Sequence, residues 1–211
     1  IDKDGQPQVI SSPQGYETIP SVVTLDNEGK IHVGHRALER MMLTPERAIY
    51  GSKRFLGRPF TSREVGNLAH FFHWKVVAGE HGETAAQIDD SIIPLQEVAA
   101  HILRTLKGMA EHQLQQPIQR AVITVPAYFG ESQRQAVRDA GRMAGFYVER
   151  IVDEPTAAAL TYAHGRSIQR TVLVYDLGGG TFDASVLRID NDTTQVLAVG
   201  GEPFLGGADF D

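Results

Sequence analysis

The chain has 211 residues, 42% of them hydrophobic, enough to bury a real core and to hold more than one structural unit. Its 20 Lys and Arg stand against 26 Asp and Glu, a formal charge of −6, which argues against a general nucleic-acid or membrane-surface binder. Cysteine is absent, so there is no disulfide framework, thiolate nucleophile or zinc finger, and the composition is compatible with a reducing cytoplasm. No apolar run reaches membrane-spanning length, and no signal-peptide pattern opens the chain.

In chain order, Ile1 to Gly5 resembles the tail of a strand running into a turn, and Gln8 to Ile10 is a short strand candidate. Ile19 to Leu25 is β-branched and favours a strand. Asp26-Asn27-Glu28-Gly29 is turn chemistry, so Ile31 to Val33 returns as the partner of a hairpin. A helix is expected over His35 to Met42, and another near Pro45. Arg36, Arg40, Arg47, Lys53, Arg54, Arg58 and Arg63 follow one another closely; charge alone describes a solvated basic face. His70-Phe71-Phe72-His73-Trp74 spaces two histidines three apart, but no acidic or cysteine partner lies nearby. An aromatic strand suits it better than a metal site. Trp74 to Ala78 and Ala85 to Ile88 form a second strand pair around the turn Glu80 to Glu83.

Leu95 to Leu114 is the clearest helix. Leu95, Val98, Ala99, Ile102, Leu103, Leu106, Met109 and Ala110 share one stripe, and Pro117 lies beyond the end. Arg120 to Pro126 is a buried-type strand. A helix capped near Gly130 or Ser132 follows, and Gly145 ends it. Val148 to Val152 is the next strand, with Asp153 capping a helix that starts at Glu154-Pro155. Strand, helix, strand, helix, strand is α/β architecture, whose sites gather at the carboxyl ends of the strands. Pro126, Asp153, Glu154 and Asp176 all fall there. Glu154 serves equally as a first-turn acid complementing the helix dipole or as a group facing a metal's water shell.

Val172 to Arg188 reads as strand, glycine turn, strand. Asp176 leads into Gly178, Gly179, Gly180, Thr181 and Asp183. Glycines allow positive φ and close approach, so successive amides can converge on an anion. Carboxylates cannot bind phosphate, but they hold the cation that accompanies it. A bare glycine-rich hairpin is the other reading; the joint spacing of Asp, Gly, Thr and Asp favours a nucleotide-phosphate and metal site. It is not a Walker loop, which needs Lys and Ser or Thr opening a helix. Gln195 to Val199 is a further strand. Gly200-Gly201 and Leu205-Gly206-Gly207 form a second glycine cluster beside the first, and Gly206 to Asp211 reads as the start of a helix.

DLGGGTFD, Asp176 to Asp183, resembles the second phosphate loop of the actin-like ATPases, specifically of the 70-kilodalton heat-shock (DnaK-type) molecular chaperones. GSKRFLGR from Gly51, AVITVPAYF from Ala121 and SQRQAVRDAGRMAG from Ser132 match in order, as do ERIVDEPTAAAL from Glu149 and FLGGADFD from Phe204. The resemblance covers essentially the whole chain. It implies the actin-like, ribonuclease-H-like α/β fold, with residues 1–20 and 94–170 in a first core subdomain, 21–93 an inserted satellite, and 171–211 opening a second core subdomain.

The resemblance further implies ATP or ADP with Mg2+. Asp176 and Asp183 would organise magnesium and the attacking water, and Glu154 would hold a magnesium-bound water. Gly178, Gly179, Gly180 and Thr181 would cradle phosphates, with Gly206 and Gly207 completing the cradle, and Lys53 would stabilise charge at the terminal phosphate. Pro126 and Arg134 match positions that relay nucleotide state, and Arg150 lies where J-domain partners touch. The implied whole is a cytoplasmic chaperone with unfolded polypeptide clients, a J-domain co-chaperone and a nucleotide exchange factor, and with neither nucleic acid nor membrane as partner.

Asp153 stands where the family usually has Asn, and Gly130-Glu131 where Asn-Asp is common. The family's first phosphate loop is expected before Ile1, and its adenine-clamping half and client domain after Asp211, so the sequence reads as a fragment that binds ATP weakly or not at all by itself. Other classes stay open: a sugar or small-molecule kinase of the same superfamily, or a non-hydrolysing exchange partner or scaffold. The former would need a carboxylate base in a sugar pocket, which this half does not offer. The five chemistry-bearing residues, Lys53, Glu154, Asp176, Thr181 and Asp183, count against a degenerate site.

Overall fold

The computed structural model describes residues 7–190 and 193–210. The chain is mixed α/β, with its strands in several small sheets. The strand tail expected at Ile1 to Gly5 lies outside the described residues, and the strand expected at Gln8 to Ile10 is irregular chain. Among the described residues that segment has no partner strand to satisfy its amides, so its local propensity does not suffice.

The first hairpin forms as the turn chemistry requires. β1 (Val23–Leu25) and β2 (Ile31–Val33) pair antiparallel, with Val23 opposite Val33. The Asp26 carboxylate accepts the amides of Glu28 and Lys30, at 3.1 and 2.8 Å, which closes the turn. α1 (His35–Met41) packs on this sheet, and β3 (Ala48–Ile49) adds to the other edge of β1. A single 3-10 turn at Pro45–Arg47 replaces the helix expected near Pro45, and a second turn, Ser52–Arg54, carries Lys53. α2 (Arg63–Leu68) is capped by Ser62.

The aromatic segment is not a strand. Ala69–Phe71 makes a 3-10 turn, and only from Lys75 does β4 (Lys75–Ala78) begin. Packing decides this: Trp74 is buried edge-on against Phe55 and donates its indole N–H to the Tyr50 carbonyl at 2.9 Å. β4, β5 (Thr84–Ile88) and β6 (Ser91–Pro94) form an antiparallel sheet.

α3 (Leu95–Leu114) has the limits its apolar stripe dictates. β7 (Arg120–Val125) and β8 (Tyr147–Asp153) lie parallel, joined through α4 (Glu131–Met143). Gly141 of α4 faces this pair so closely that a Cβ would stand 2.5 Å from Val148 Cγ2. α5 (Glu154–Ala163) leads into an antiparallel sheet ordered β11-β10-β9, made of β9 (Gln169–Leu177), β10 (Phe182–Asp190) and β11 (Thr193–Glu202). β9 pairs with its hairpin partner β10, in a sheet separate from β7-β8, as the strand, glycine turn, strand reading expects.

One core runs from Val23, Ile49 and Phe55 through Trp74 and Leu95 to Val125, Phe129 and Val137. Ala159, Leu187 and Ile189 form a separate cluster beneath the β11-β10-β9 sheet. Segment 52–58 belongs to the first core and lies against the glycine turn of the second. That contact sets the site.

Candidate functional site

Strand alternation explains where the carboxylates go. On β10, Asp183, Ser185, Leu187 and Ile189 share the buried face, and their partners on β9 are Asp176, Val174, Val172 and Arg170. An apolar row thus ends in two carboxylates directly opposite each other, Asp183 and Asp176. Like charges in that register repel, an arrangement that costs stability unless something else uses it. Asp183 is only 2% exposed, and its Oδ1 has no hydrogen-bond partner; nor does the Ser185 hydroxyl beside it. Burial first, then the charges of Glu154 and Asp176, push the Asp183 carboxyl up to about 6, with Lys53 pulling the other way.

Lys53 comes from the 52–54 turn and reaches Glu154, the first residue of α5, with Nζ to Oε1 at 2.8 Å. The expected quartet of Lys53, Glu154, Asp176 and Asp183 is therefore one electrostatic cluster. Among the described residues, no three His, Asp or Glu side chains are arranged to ligate an ion directly. A hydrated cation held through its water is the form such a donor set suits.

Tyr128, two residues past Pro126 at the end of β7, lies close enough to feel the charges of this cluster. Its hydroxyl is buried without a hydrogen bond. Burial, and the nearby Asp183 and Glu154 charges, raise its pKa well above the ordinary tyrosine value. Buried polar atoms without partners are uncommon in folded chains, and several facing one spot mark a place built for a polar group.

The glycine turn is held by its own bonds. Gly178 N donates to the Thr181 carbonyl at 2.9 Å, and the amides of Gly207 and Ala208 donate to the carbonyls of Gly178 and Gly179, each at 2.9 Å. Gly206 N is taken by the Asp209 carboxylate at 2.7 Å. Gly207 and Ala208 thus spend their amides bracing the first loop, and Gly206 spends its own closing the turn behind it. Among the described residues, the amides of Gly179, Gly180 and Thr181 donate to no protein group. Those three are the ones available to an anion.

The glycines serve close approach, not left-handed backbone, since none of Gly178, Gly179 and Gly180 has positive φ. A Cβ on Gly206 would sit 2.4 Å from Gly180 N, whereas one on Gly179 would meet nothing within 4 Å. The turn after Gly206 is a 3-10 turn, Gly207–Asp209, within the stretch that read as a helix start.

Among the relay positions, Pro126 is buried at the end of β7, and its carbonyl accepts the Phe129 amide at 3.1 Å. Arg134 of α4 bonds the Phe129 carbonyl at 2.9 Å and the Asp153 carboxylate at 2.6 Å, tying the ends of β7 and β8 together next to Glu154. Asp153 sits at the N-cap of α5 but makes no side-chain cap. The guanidinium offers its carboxylate a charge-assisted bond that outcompetes a backbone amide. Arg150 is exposed in β8 and takes no part in this cluster.

Arg54 departs most from the sequence reading. It is no surface arginine: its side chain is 9% exposed and bonds both the Gly180 carbonyl and Asp209. Its neighbour Arg58 donates to the Arg54 carbonyl at 3.0 Å and stacks 5.3 Å over the Phe204 ring. Adjacency to Lys53 was the signal that could have singled Arg54 out. Position at a strand's carboxyl end was the corresponding signal for Tyr128.

Fold and site together define a mixed α/β protein whose glycine turn offers free amides beside a buried carboxylate, two partly exposed ones and a lysine. The model of the family described as Hsp70 protein matches residues 1–211. The chain belongs to the Hsp70 family. It is 42% identical over 211 residues to the "Mitochondrial-type heat shock protein 70" of Encephalitozoon cuniculi (strain GB-M1), covering 100% of this chain and 36% of that protein. It is 44% identical over 209 residues to the "Chaperone protein dnaK1" of Prochlorococcus marinus (strain MIT 9313), covering 98% of this chain and 31% of that protein. The chain thus spans about a third of the length of these curated relatives. The several small sheets are consistent with the actin-like ATPase fold of that family.

Proposed function

We propose that this chain forms part of the nucleotide-binding domain of an ATP-hydrolysing molecular chaperone, which couples nucleotide state to the binding of unfolded polypeptides. The observation that carries this reading is the buried Asp183 carboxylate, unpartnered at Oδ1 and raised toward neutrality, next to Asp176, Glu154 and Lys53 at the open amides of the glycine turn. A J-domain co-chaperone and a nucleotide exchange factor belong to the same proposal, with Arg150 on the surface offered to the former and Arg134 relaying the state of the site. The subdomain division at residues 20, 93 and 170 goes with it.

Each side chain has a distinct physical role. The amides of Gly179, Gly180 and Thr181 bind phosphate oxygens, and Lys53 adds a compact positive charge where negative charge builds up. Asp183, which ionises near neutrality, can accept a proton at Oδ1 from a water entering beside Thr181. Asp176, Asp183 and Glu154 would hold a hydrated magnesium ion, which supplies neutralisation of phosphate charge when bound. Phosphoryl transfer to water asks mainly for such placement.

The test is calorimetric titration of magnesium-ATP into this chain and into the full-length parent, each beside its Asp176→Ala variant. Micromolar or tighter binding by the parent, weakened by the substitution, is expected. A parent that binds no nucleotide overturns the reading.

A further inference from the structure

The two cations of the Ser52–Arg54 turn part company. Lys53 turns to Glu154, while Arg54 crosses to the glycine turn and the Gly207–Asp209 segment behind it. Arg54 Nε donates to the Gly180 carbonyl at 2.9 Å, Nη1 donates to Asp209 Oδ1 at 2.9 Å, and Nη2 meets Asp209 Oδ2. Asp209 in turn accepts the Gly206 amide. One planar guanidinium therefore joins the third glycine of the first loop to the turn that braces that loop from behind. The guanidinium lies in contact with that glycine: a Cβ on Gly180 would stand 3.4 Å from Arg54 Nε.

We propose that Arg54 is the positioning residue of the glycine turn, fixing the peptide planes so that the Gly179, Gly180 and Thr181 amides face a bound phosphate. The proposal rests on the phosphate-binding reading of that turn. Three consecutive glycines give the loop more backbone freedom than any other sequence would, so without an external hold it samples many shapes. Apparent affinity then falls by the fraction of time the competent shape is populated. Arginine suits this position because its fork makes two bonds to one carboxylate and leaves Nε for the carbonyl, which a lysine ammonium cannot do from one place. Its bond to Arg54, first among the causes, lowers the Asp209 carboxyl below its ordinary value, which favours the charged pair.

A simple staple between two segments is the rival account, and Arg54→Lys separates the two. That variant keeps a cation for Asp209 but has no Nε for the Gly180 oxygen. Magnesium tripolyphosphate is the probe, titrated into the full-length protein with its chain unaltered or carrying Arg54→Gln or Arg54→Lys. Amide exchange is followed at Gly178, Gly207 and Ala208, whose bonds define the loop. Both variants should bind at least tenfold more weakly, with exchange at those amides at least tenfold faster in Arg54→Gln and melting temperature nearly unchanged in Arg54→Lys. Full recovery of binding by Arg54→Lys, or binding by Arg54→Gln within twofold of the unaltered chain, overturns the proposal. If the unaltered chain binds no tripolyphosphate, the phosphate reading falls, and unchanged exchange in Arg54→Gln then overturns the clamp as well.

Discussion

Replacing Asp183 by Asn should stabilise the folded chain at neutral pH and leave it unchanged in acid. The carboxyl ionises at about 6 in the fold against an ordinary value of 3.8. At about 1.4 kcal/mol per tenfold change in proton affinity, the ionised group costs the fold about 3 kcal/mol. The sign follows from proton counting. Between pH 3.8 and about 6 the folded chain keeps a proton that the unfolded chain has released, so stability falls as pH rises and the full cost is present above about pH 6. An amide of the same shape has no charge to desolvate and none to set against Asp176 and Glu154. Urea denaturation of both proteins at pH 4 and pH 7.5 measures the effect, and only the change in their difference matters. A gain of Asp183→Asn over the parent chain of roughly 2 to 3 kcal/mol on going from pH 4 to pH 7.5 is expected. An equal difference at both pH values would refute the reasoning, because the carboxylate would then not be strained by its surroundings. Magnesium with phosphate should stabilise the parent chain more than the Asn variant, since relief of the same charge is what the ion offers.

Gly206→Ala puts a methyl group 2.4 Å from Gly180 N, against backbone that cannot swing aside, so the two glycine segments must separate. Magnesium tripolyphosphate titration should then show at least tenfold weaker binding. Lys53→Gln removes a half-exposed partner of Glu154, so urea denaturation should change by no more than about 1 kcal/mol. ATP turnover by the full-length parent should nevertheless drop at least tenfold, because the charge at the terminal phosphate is lost. Gly141→Ala overpacks α4 against Val148 and Ile123, which should lower stability by about 1 to 3 kcal/mol in denaturation. Phosphate binding should stay unaffected, since that contact lies away from the glycine turn.

Much of the site was legible in the sequence because its parts are local. Asp176, the three glycines, Thr181 and Asp183 lie within eight residues of one hairpin, so the sequence places both carboxylates at its turn. The limits of Leu95–Leu114 follow from one apolar stripe, and the hairpin at Asp26 from its own turn residues. Where the deciding partner is distant, local reading fails. Residues 70–74 carry strand-forming aromatics, yet burial of Trp74 against Phe55 and Tyr50 bends them into a turn. Asp153 has the chemistry of a cap, but Arg134 takes its carboxylate. Arg54 looks like any surface arginine until Gly180 and Asp209, more than a hundred residues later, close on its guanidinium. Composition and spacing determined which groups the loop would carry. Only the tertiary structure decided that two carboxylates would face each other in a dry setting, and which arginine would hold the loop, because desolvation and long-range charge arise from packing between segments and not within them.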